Sequence, residues 1–184
     1  PLASPPSGIN ASRLMEDLRP ETTATIGTAL FAAAIRELWE ETGLVLGTKA
    51  DWPVSPKEDW QDYANTGHLP HANGLKFVFR AITPPGRPRR FDARFFLVNA
   101  EDLSGDLDDF SRASDELSHL QWIPLDQARS FDLPFITEVV LAEVEGRLHE
   151  GGVPESVPFF RNTDEAGLFV RLHGREPTDA ELGG

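Results

Sequence analysis

Three glutamates within one short segment have the spacing of a metal-binding cluster. Glu37, Glu40 and Glu41 stand at positions i, i+3 and i+4, so a helix would place their carboxylates on one patch of its surface. Gly43 is a natural helix stop and puts this patch in the last turn, where the helix dipole disfavours each acid by roughly 0.3–1 kcal/mol. Because the like charges also repel one another, a bound divalent cation would resolve the conflict.

The donor set favours Mg²⁺ or Mn²⁺ over zinc. The sequence has no cysteine and no histidine on this helix, which leaves oxygen ligands suited to a hard cation. Arg36 can form an i, i+4 ion pair with Glu40, but such an exposed pair contributes only ~0.3–0.5 kcal/mol. The alternative is a solvated acidic helix face, which is the commoner case for an arbitrary glutamate cluster.

The element that must hold these acids is a helix from Thr28 to Thr42. Apolar residues recur along it at helical spacing, and a glycine follows its last residue. They are Leu30, Phe31, Ala34, Ile35 and Leu38. This stripe predicts that one face of the helix lies in a core.

Alternating and aromatic segments further along the chain predict a sheet. Residues 75–83 and 91–99 should form a hairpin-like pair of strands. A third strand fits residues 117–123, and a short last strand fits residues 168–172. Mixed with helices in this order, they indicate an α/β fold.

Two helical segments and one long loop complete the coarse organisation. A helix beginning near Pro134 should pack on the sheet, and residues 126–130 read as one helical turn. Residues 49–73 combine aromatics with chain breakers, which predicts a long ordered loop with a helical turn. One alternative is that its aromatic residues stack on a base, but aromatics in such loops more often anchor the loop to the core. They are Trp52, Trp60 and Tyr63.

Residues 36–44 resemble the second half of the Nudix box. They read Arg-Glu-Leu-Trp-Glu-Glu-Thr-Gly-Leu and meet every defined position of the family's pattern Arg-Glu-apolar-x-Glu-Glu-x-Gly-apolar. The resemblance implies that Glu37 and Glu41 are the main metal ligands. It also implies that Glu40 is a further ligand or the partner of Arg36, and that Arg36 orients the cluster. In the family, the metal ions polarise a diphosphate and position the water that attacks phosphorus.

The first half of the box departs from the pattern. Counting back from Arg36 puts Thr28 where the family has Glu and Thr22 where it has Gly. Either the site is weakened or the box is interrupted. We expect an interruption, because one branch that resembles coenzyme A diphosphatases carries a long insertion between the two halves. The chain starts at Pro1 instead of a methionine, so the glycine half and the first strands of the fold are expected upstream of it.

The resemblance also implies the fold and its boundaries. We expect a Nudix-like α/β/α sandwich, with a mixed sheet between the box helix and the helix near Pro134, and without its N-terminal strands in this chain. Residues 1–27 would be an insertion or loop segment that precedes the box helix. The hydrolase domain would span residues 28–173, and residues 174–184 would form a mobile tail.

A basic turn is the candidate substrate contact. Residues 80–84 and 89–96 are similar to the central strand pair of the coenzyme A diphosphatase branch, and arginines lie in and next to the turn that joins them. They are Arg87, Arg89 and Arg90. Because arginine suits bidentate contacts with phosphate, this turn is a candidate phosphate clamp. The alternative is a hairpin tip kept polar for solubility.

The catalytic base has to reach the attacking water, and Nudix enzymes often place it outside the box. Glu116 is the candidate and Asp115 the second choice, since relatives often carry an acid facing the metals in this region. For any one of these acids the alternative is an exposed turn residue.

Composition limits the partners. The chain of 184 residues is 40% hydrophobic, which favours one domain plus tails. With 17 Lys+Arg against 30 Asp+Glu, the net charge of -13 repels nucleic acids. No apolar run approaches the ~20 residues of a membrane helix, so we expect a cytoplasmic protein.

The resulting hypothesis is Mg²⁺- or Mn²⁺-dependent hydrolysis of a diphosphate bond in a nucleoside diphosphate derivative. Branch resemblance favours coenzyme A or an acyl-coenzyme A as substrate. One alternative is a non-catalytic Nudix-like module that binds a nucleotide and regulates a partner, suggested by Thr28. Another is a fragment that folds incompletely, with an unpaired sheet edge. The oligomeric state is left open, with a homodimer as one alternative.

Overall fold

The computed structural model of the chain describes residues 24–114, 119–150, 156–163 and 166–172. This part of the chain falls into two compact units. The first holds the described residues up to 75 and those of 98–122, and the second holds 76–97 and the described residues from 123 onwards. The expected segments 1–27 and 174–184 lie mostly or wholly outside the described residues, and the domain boundaries stay predictions.

The first unit contains the box helix and a small antiparallel sheet. Its elements are α1 (Ala24–Thr42), β1 (Gly47–Lys49), a 3-10 turn (Glu58–Trp60), α2 (Gln61–Ala64), β2 (His68–Pro70) and a second 3-10 turn (Ala100–Asp102). The predicted helix is confirmed and starts four residues earlier, at Ala24. Phe31 and Ile35 on its apolar stripe are fully buried.

The predicted loop over residues 49–73 is more regular than its sequence indicates. The expected helical turn is present, but residues 68–70 form β2, which pairs with β1 from Gly47↔Pro70 to Lys49↔His68. Gly67 and Pro70 read as chain breakers, and this concealed the strand. In a pair of such short strands, a proline that cannot donate a hydrogen bond is tolerated at the strand end.

The second unit is a mixed sheet covered by a helix. Its elements are β3 (Lys76–Ile82), β4 (Asp92–Leu97), α3 (Leu125–Ala128), α4 (Phe135–Glu150), β5 (Val157–Thr163) and β6 (Ala166–Leu172). The strand order is β4-β3-β5-β6, with β3 antiparallel to β4 and parallel to β5. The expected hairpin, the helical turn, the helix after Pro134 and the last strand are all confirmed.

The core of this unit lies between β3 and α4. Val78, Phe79 and Ala81 from the strand cluster with Val140 and Val144 from the helix. Burying side chains of this size stabilises a fold by about 1.5–3 kcal/mol each. The prediction that this helix packs on the sheet is therefore confirmed, and the fold belongs to the expected α/β class.

One predicted strand is not present in the described residues, and one observed strand was not predicted. Residues 119–123, the described part of the expected third strand, are irregular, and His119 has a φ of 64° that breaks an extended run. The aromatic signal came from Trp122, whose indole N–H donates to the Leu107 carbonyl in a loop at 3.0 Å. The strand β5 was not predicted, and it contains Pro158, a residue type that argues against a paired strand. Its ladder with β3 starts only at Phe159, so the missing N–H is not needed there.

No helix within the described residues is long and apolar enough to span a membrane.

Candidate active site

The box helix ends at the predicted residue. The Gly43 N–H donates to the Trp39 carbonyl at 2.8 Å, and Gly43 has a φ of 77°, a left-handed conformation that favours glycine. A Cβ at this position would lie 3.1 Å from the Cβ of Arg112. The left-handed backbone therefore favours glycine after the acidic turn, and the close approach of Arg112 leaves little room for a Cβ.

The three box glutamates are presented to solvent. The side chains of Glu37, Glu40 and Glu41 are exposed, while Phe31 and Ile35 bury the opposite stripe of α1. Their carboxylate oxygens are the donors that a hard divalent cation takes, so the residues fit Mg²⁺ or Mn²⁺ in chemical type. As they stand, no three acidic or histidine side chains in the described ranges are grouped closely enough to hold an ion.

Arg36 contacts two carboxylates in the first unit. Its Nε lies 3.3 Å from Glu40 Oε1, which is the expected i, i+4 ion pair. Its Nη1 donates a hydrogen bond of 2.9 Å to Asp59 Oδ2. Sequence reasoning missed Asp59, because it lies 23 residues from Arg36 in a segment without a motif.

Aromatic rings connect this segment to the box helix. The ring centroids of Trp39 and Tyr63 are 6.0 Å apart, those of Tyr63 and Trp60 are 5.3 Å apart, and those of Trp60 and Trp52 are 6.0 Å apart. The buried Tyr63 hydroxyl donates to the Leu46 carbonyl at 2.7 Å, and burial raises its pKa. These rings anchor the loop to the box helix, which is the alternative favoured in the sequence analysis.

The loop that precedes the expected catalytic base approaches the acidic turn. The Ser114 N–H donates to the Glu40 carbonyl at 3.2 Å. Upstream, the Asp109 carboxylate accepts the Ser111 N–H at 3.0 Å, and hydrogen bonds from Ser111 lower the pKa of Asp109. Asp115 and Glu116 follow directly in sequence but lie outside the described residues, so their role as the base stays a prediction.

The three arginines of the candidate clamp lie in the second unit, between β3 and β4. Arg87, Arg89 and Arg90 are all exposed. Arg90 Nε donates to the Thr83 carbonyl at 3.2 Å, and the Phe91 N–H donates to the Thr83 hydroxyl at 3.0 Å. The turn is where the sequence predicts it, and its phosphate contact stays a prediction.

An ion pair between a buried arginine and a partly exposed aspartate joins β3 to β4 in the same unit. The Arg80 guanidinium donates to both oxygens of Asp92, at 2.9 and 2.7 Å, and lies 4.7 Å from the centroid of the Phe159 ring. Arg94 Nη1 is 3.1 Å from Asp92 Oδ2. Burial raises the pKa of Asp92, but hydrogen bonding and charge from Arg80, with Arg94, outweigh burial and leave the pKa lowered. Strand alternation alone did not predict this pair.

A family model described as the NUDIX domain matches residues 20–144. The match covers more than half of the chain and includes the box helix, the β3–β4 pair and most of α4. The chain therefore belongs to the Nudix family, and the expected family is confirmed. No curated protein and no solved structure matches the chain significantly.

Family membership supports a hydrolase that acts on a pyrophosphate bond in a small nucleotide derivative. The match does not distinguish the coenzyme A diphosphatase branch from others. Thr28, where the family has Glu, is the departure within the matched residues that bears on the acidic site.

Proposed function

We propose that this chain is an Mg²⁺- or Mn²⁺-dependent Nudix hydrolase that cleaves the diphosphate bond of a nucleoside diphosphate derivative, with coenzyme A or an acyl-coenzyme A as the favoured substrate. The observation that carries the proposal is the intact Arg-Glu-Leu-Trp-Glu-Glu-Thr-Gly turn at the end of α1. It presents three exposed carboxylates on a helix end fixed by Gly43. A solvated acidic face would need neither this residue order nor this close packing.

The acidic turn would hold the metal. Glu37 and Glu41 are the proposed main ligands, and Glu40 is a further ligand whose carboxylate is oriented by Arg36. A bound divalent cation supplies charge neutralisation of the diphosphate and lowers the pKa of a water molecule.

Proton transfer is assigned to the residues that follow Ser114 in the sequence. Glu116 is the proposed base, with Asp115 as the alternative, and its carboxylate accepts one proton of the water that attacks phosphorus. The new phosphorus–oxygen bond forms as the bond to the bridging oxygen breaks, which yields two phosphomonoesters. The contact of the Ser114 N–H with the Glu40 carbonyl supports this assignment, because it brings the chain to the acidic turn just before these acids.

Substrate phosphate is assigned to the basic turn. Arg87, Arg89 and Arg90 are exposed cations in a chain of net charge -13, and guanidinium groups bind phosphate oxygens in pairs. Coenzyme A carries phosphate in addition to its diphosphate, so it offers more contacts to such a turn than a simple dinucleotide does. The substrate preference rests on the resemblance of residues 80–84 and 89–96 to that branch.

A regulatory nucleotide-binding module is the second candidate. Two observations favour it: Thr28 replaces a family glutamate, and no three acidic or histidine side chains in the described ranges are grouped for metal binding. Such a module would bind the nucleotide without hydrolysing it.

Turnover separates the two candidates. We would measure Mg²⁺-dependent hydrolysis of coenzyme A, NADH, ADP-ribose and nucleoside triphosphates by the parent protein, by Glu41→Gln and by Glu138→Gln. The last is an exposed glutamate on α4 and serves as the matched control. Loss of a metal ligand removes several kcal/mol of charge stabilisation, which corresponds to a fall of about 100- to 1,000-fold in kcat.

The hydrolase proposal requires turnover by the parent protein that Glu41→Gln loses and Glu138→Gln keeps. Nucleotide binding without turnover of any substrate would instead establish the regulatory module. Turnover that Glu41→Gln retains in full would show that the acidic turn is not the catalytic site.

A further inference from the structure

Arg36 makes its better contact outside the Nudix box. The Nη1–Asp59 distance of 2.9 Å has hydrogen-bond geometry, whereas Nε lies 3.3 Å from Glu40 Oε1 as an ion pair and has no hydrogen-bond partner. Charge-assisted hydrogen bonds of about 2.7–2.9 Å are the strong ones. Arg36 is therefore shared between two carboxylates, and the one from the loop holds it more tightly.

Asp59 is held in place by contacts other than this ion pair. It lies on the 3-10 turn Glu58–Trp60, and the next residue, Trp60, packs its ring 5.3 Å from Tyr63. Tyr63 in turn packs on Trp39 of α1 and hydrogen-bonds to Leu46. The backbone that carries Asp59 is thus fixed to the box helix by aromatic packing, so its carboxylate meets Arg36 at a set position.

We propose that Asp59 is a positioning residue that draws Arg36 away from Glu40 and so keeps the Glu40 carboxylate available to a divalent cation. The inference rests on the proposed function, because it takes Glu40 as a metal ligand. Without Asp59, the carboxylate already nearest to Arg36 is Glu40 at 3.3 Å. A closed Arg36–Glu40 pair would use the same oxygens that the cation needs.

Direct Mn²⁺ binding tests the inference apart from activity. Free Mn²⁺ would be followed by electron paramagnetic resonance during titration of the parent protein, Asp59→Ala, Asp59→Asn and Asp62→Ala. Asp62 is an exposed carboxylate three positions further on and controls for loss of one negative charge. Residues that orient metal ligands change affinity by about 10- to 100-fold, so we expect about tenfold weaker binding for Asp59→Ala.

The conservative variant and the kinetics add two measurements that would not change in this way if Asp59 had only a structural role. Asp59→Asn keeps an oxygen that can accept the Arg36 hydrogen bond and should lose less affinity than Asp59→Ala. If the parent protein hydrolyses its substrate, high Mg²⁺ should restore the kcat of Asp59→Ala. An unfolded or misfolded variant would not recover in this way.

The Arg36→Gln background decides whether Asp59 acts through Arg36. In that background the Asp59→Ala change should no longer weaken Mn²⁺ binding, because no guanidinium is left to move. An equal loss of affinity in both backgrounds would overturn the inference and assign the effect to charge alone. The inference would also be overturned if the parent protein binds Mn²⁺ and turns over substrate but Asp59→Ala binds Mn²⁺ equally well. In that case the proposed function would stand. A parent protein that neither binds Mn²⁺ nor turns over substrate would overturn both.

Discussion

The pair Arg36–Asp59 in the first unit and the pair Arg80–Asp92 in the second share one chemistry but differ in burial. The side chains of the first pair are 31% and 52% exposed, whereas those of the second are 4% and 35% exposed. Exposed pairs contribute about 0–1 kcal/mol to stability, while removing one member of a buried pair is strongly destabilising. We therefore expect the second pair to hold the sheet together, whereas the first pair, by our proposal, positions a side chain of the acidic turn.

Their surroundings explain the difference. Arg80 on β3 lies over the Phe159 ring of the neighbouring strand β5, and its two hydrogen bonds to Asp92 join β3 to β4. Arg36 stands beside an acidic helix end, and its partner comes from a loop that aromatic rings already hold. We therefore expect substitutions at Asp92 to lower the free energy of unfolding, and substitutions at Asp59 to lower the affinity for a divalent cation.

Asp92→Ala should give the largest change in stability. It removes the carboxylate that accepts two hydrogen bonds from a buried guanidinium, and we expect a loss of about 2–4 kcal/mol in the free energy of unfolding. Urea unfolding followed by circular dichroism would measure it. Asp132→Ala, an exposed aspartate of the same unit, should stay within about 0.5 kcal/mol of the parent protein. If the free energy of unfolding of Asp92→Ala changed as little, the two ion pairs would not differ in their contribution to stability.

The pH dependence of unfolding sharpens this result. Because the folded-state pKa of Asp92 lies below its ordinary value of 3.8, its carboxylate stabilises the fold above that pH. This contribution is lost as the pH falls through the folded-state pKa. The difference in unfolding free energy between the parent protein and Asp92→Asn should therefore be full at pH 6 and shrink below about pH 4. A difference that is independent of pH would mean that ionised Asp92 is not the stabilising form.

The placement of three glutamates at one helix end was predictable from sequence because it is local. The helix, its apolar stripe and the glycine stop all lie within one segment, so periodicity and residue order specify how Glu37, Glu40 and Glu41 are presented. Asp59 was not predictable, because its contact with Arg36 depends on how a loop without a motif packs. Glu116 lies outside the described residues, and its assignment still rests on family resemblance.

The fold was predictable where local pattern and long-range pairing agree. Residues 76–82 and 92–97 alternate and are close in sequence, so their pairing follows from the turn between them. The strand β5 pairs in parallel with β3, although the helix α4 and other segments separate the two strands in the sequence. No local sequence signal specifies such a distant partner. The segment around Trp122 was wrongly predicted to be a strand. Aromatic residues are common in strands, but this one packs on a loop.

Tyr63→Phe tests what the buried hydroxyl adds to the aromatic packing that holds the loop of the first unit. The change keeps the ring contacts but removes the buried hydrogen bond to the Leu46 carbonyl. We expect the free energy of unfolding to fall by about 1–2 kcal/mol, measured by urea unfolding. Mn²⁺ affinity should change little, because the ring still fixes the turn that carries Asp59. A large loss of affinity without loss of stability would show that the hydroxyl itself positions the site.

Asp59→Ala should give the smallest change in stability. An exposed pair between these side chains contributes no more than about 0.5–1 kcal/mol, and the aromatic contacts that fix the loop are untouched. The unfolding free energy should therefore match that of Asp62→Ala within about 0.5 kcal/mol, while Mn²⁺ affinity differs between the two variants. If Asp59→Ala instead destabilised the protein as much as Asp92→Ala does, Asp59 would be a structural residue. Weaker Mn²⁺ binding by Asp59→Ala would then follow from a disturbed helix end. The two ion pairs would differ in burial, but both would serve to stabilise the fold.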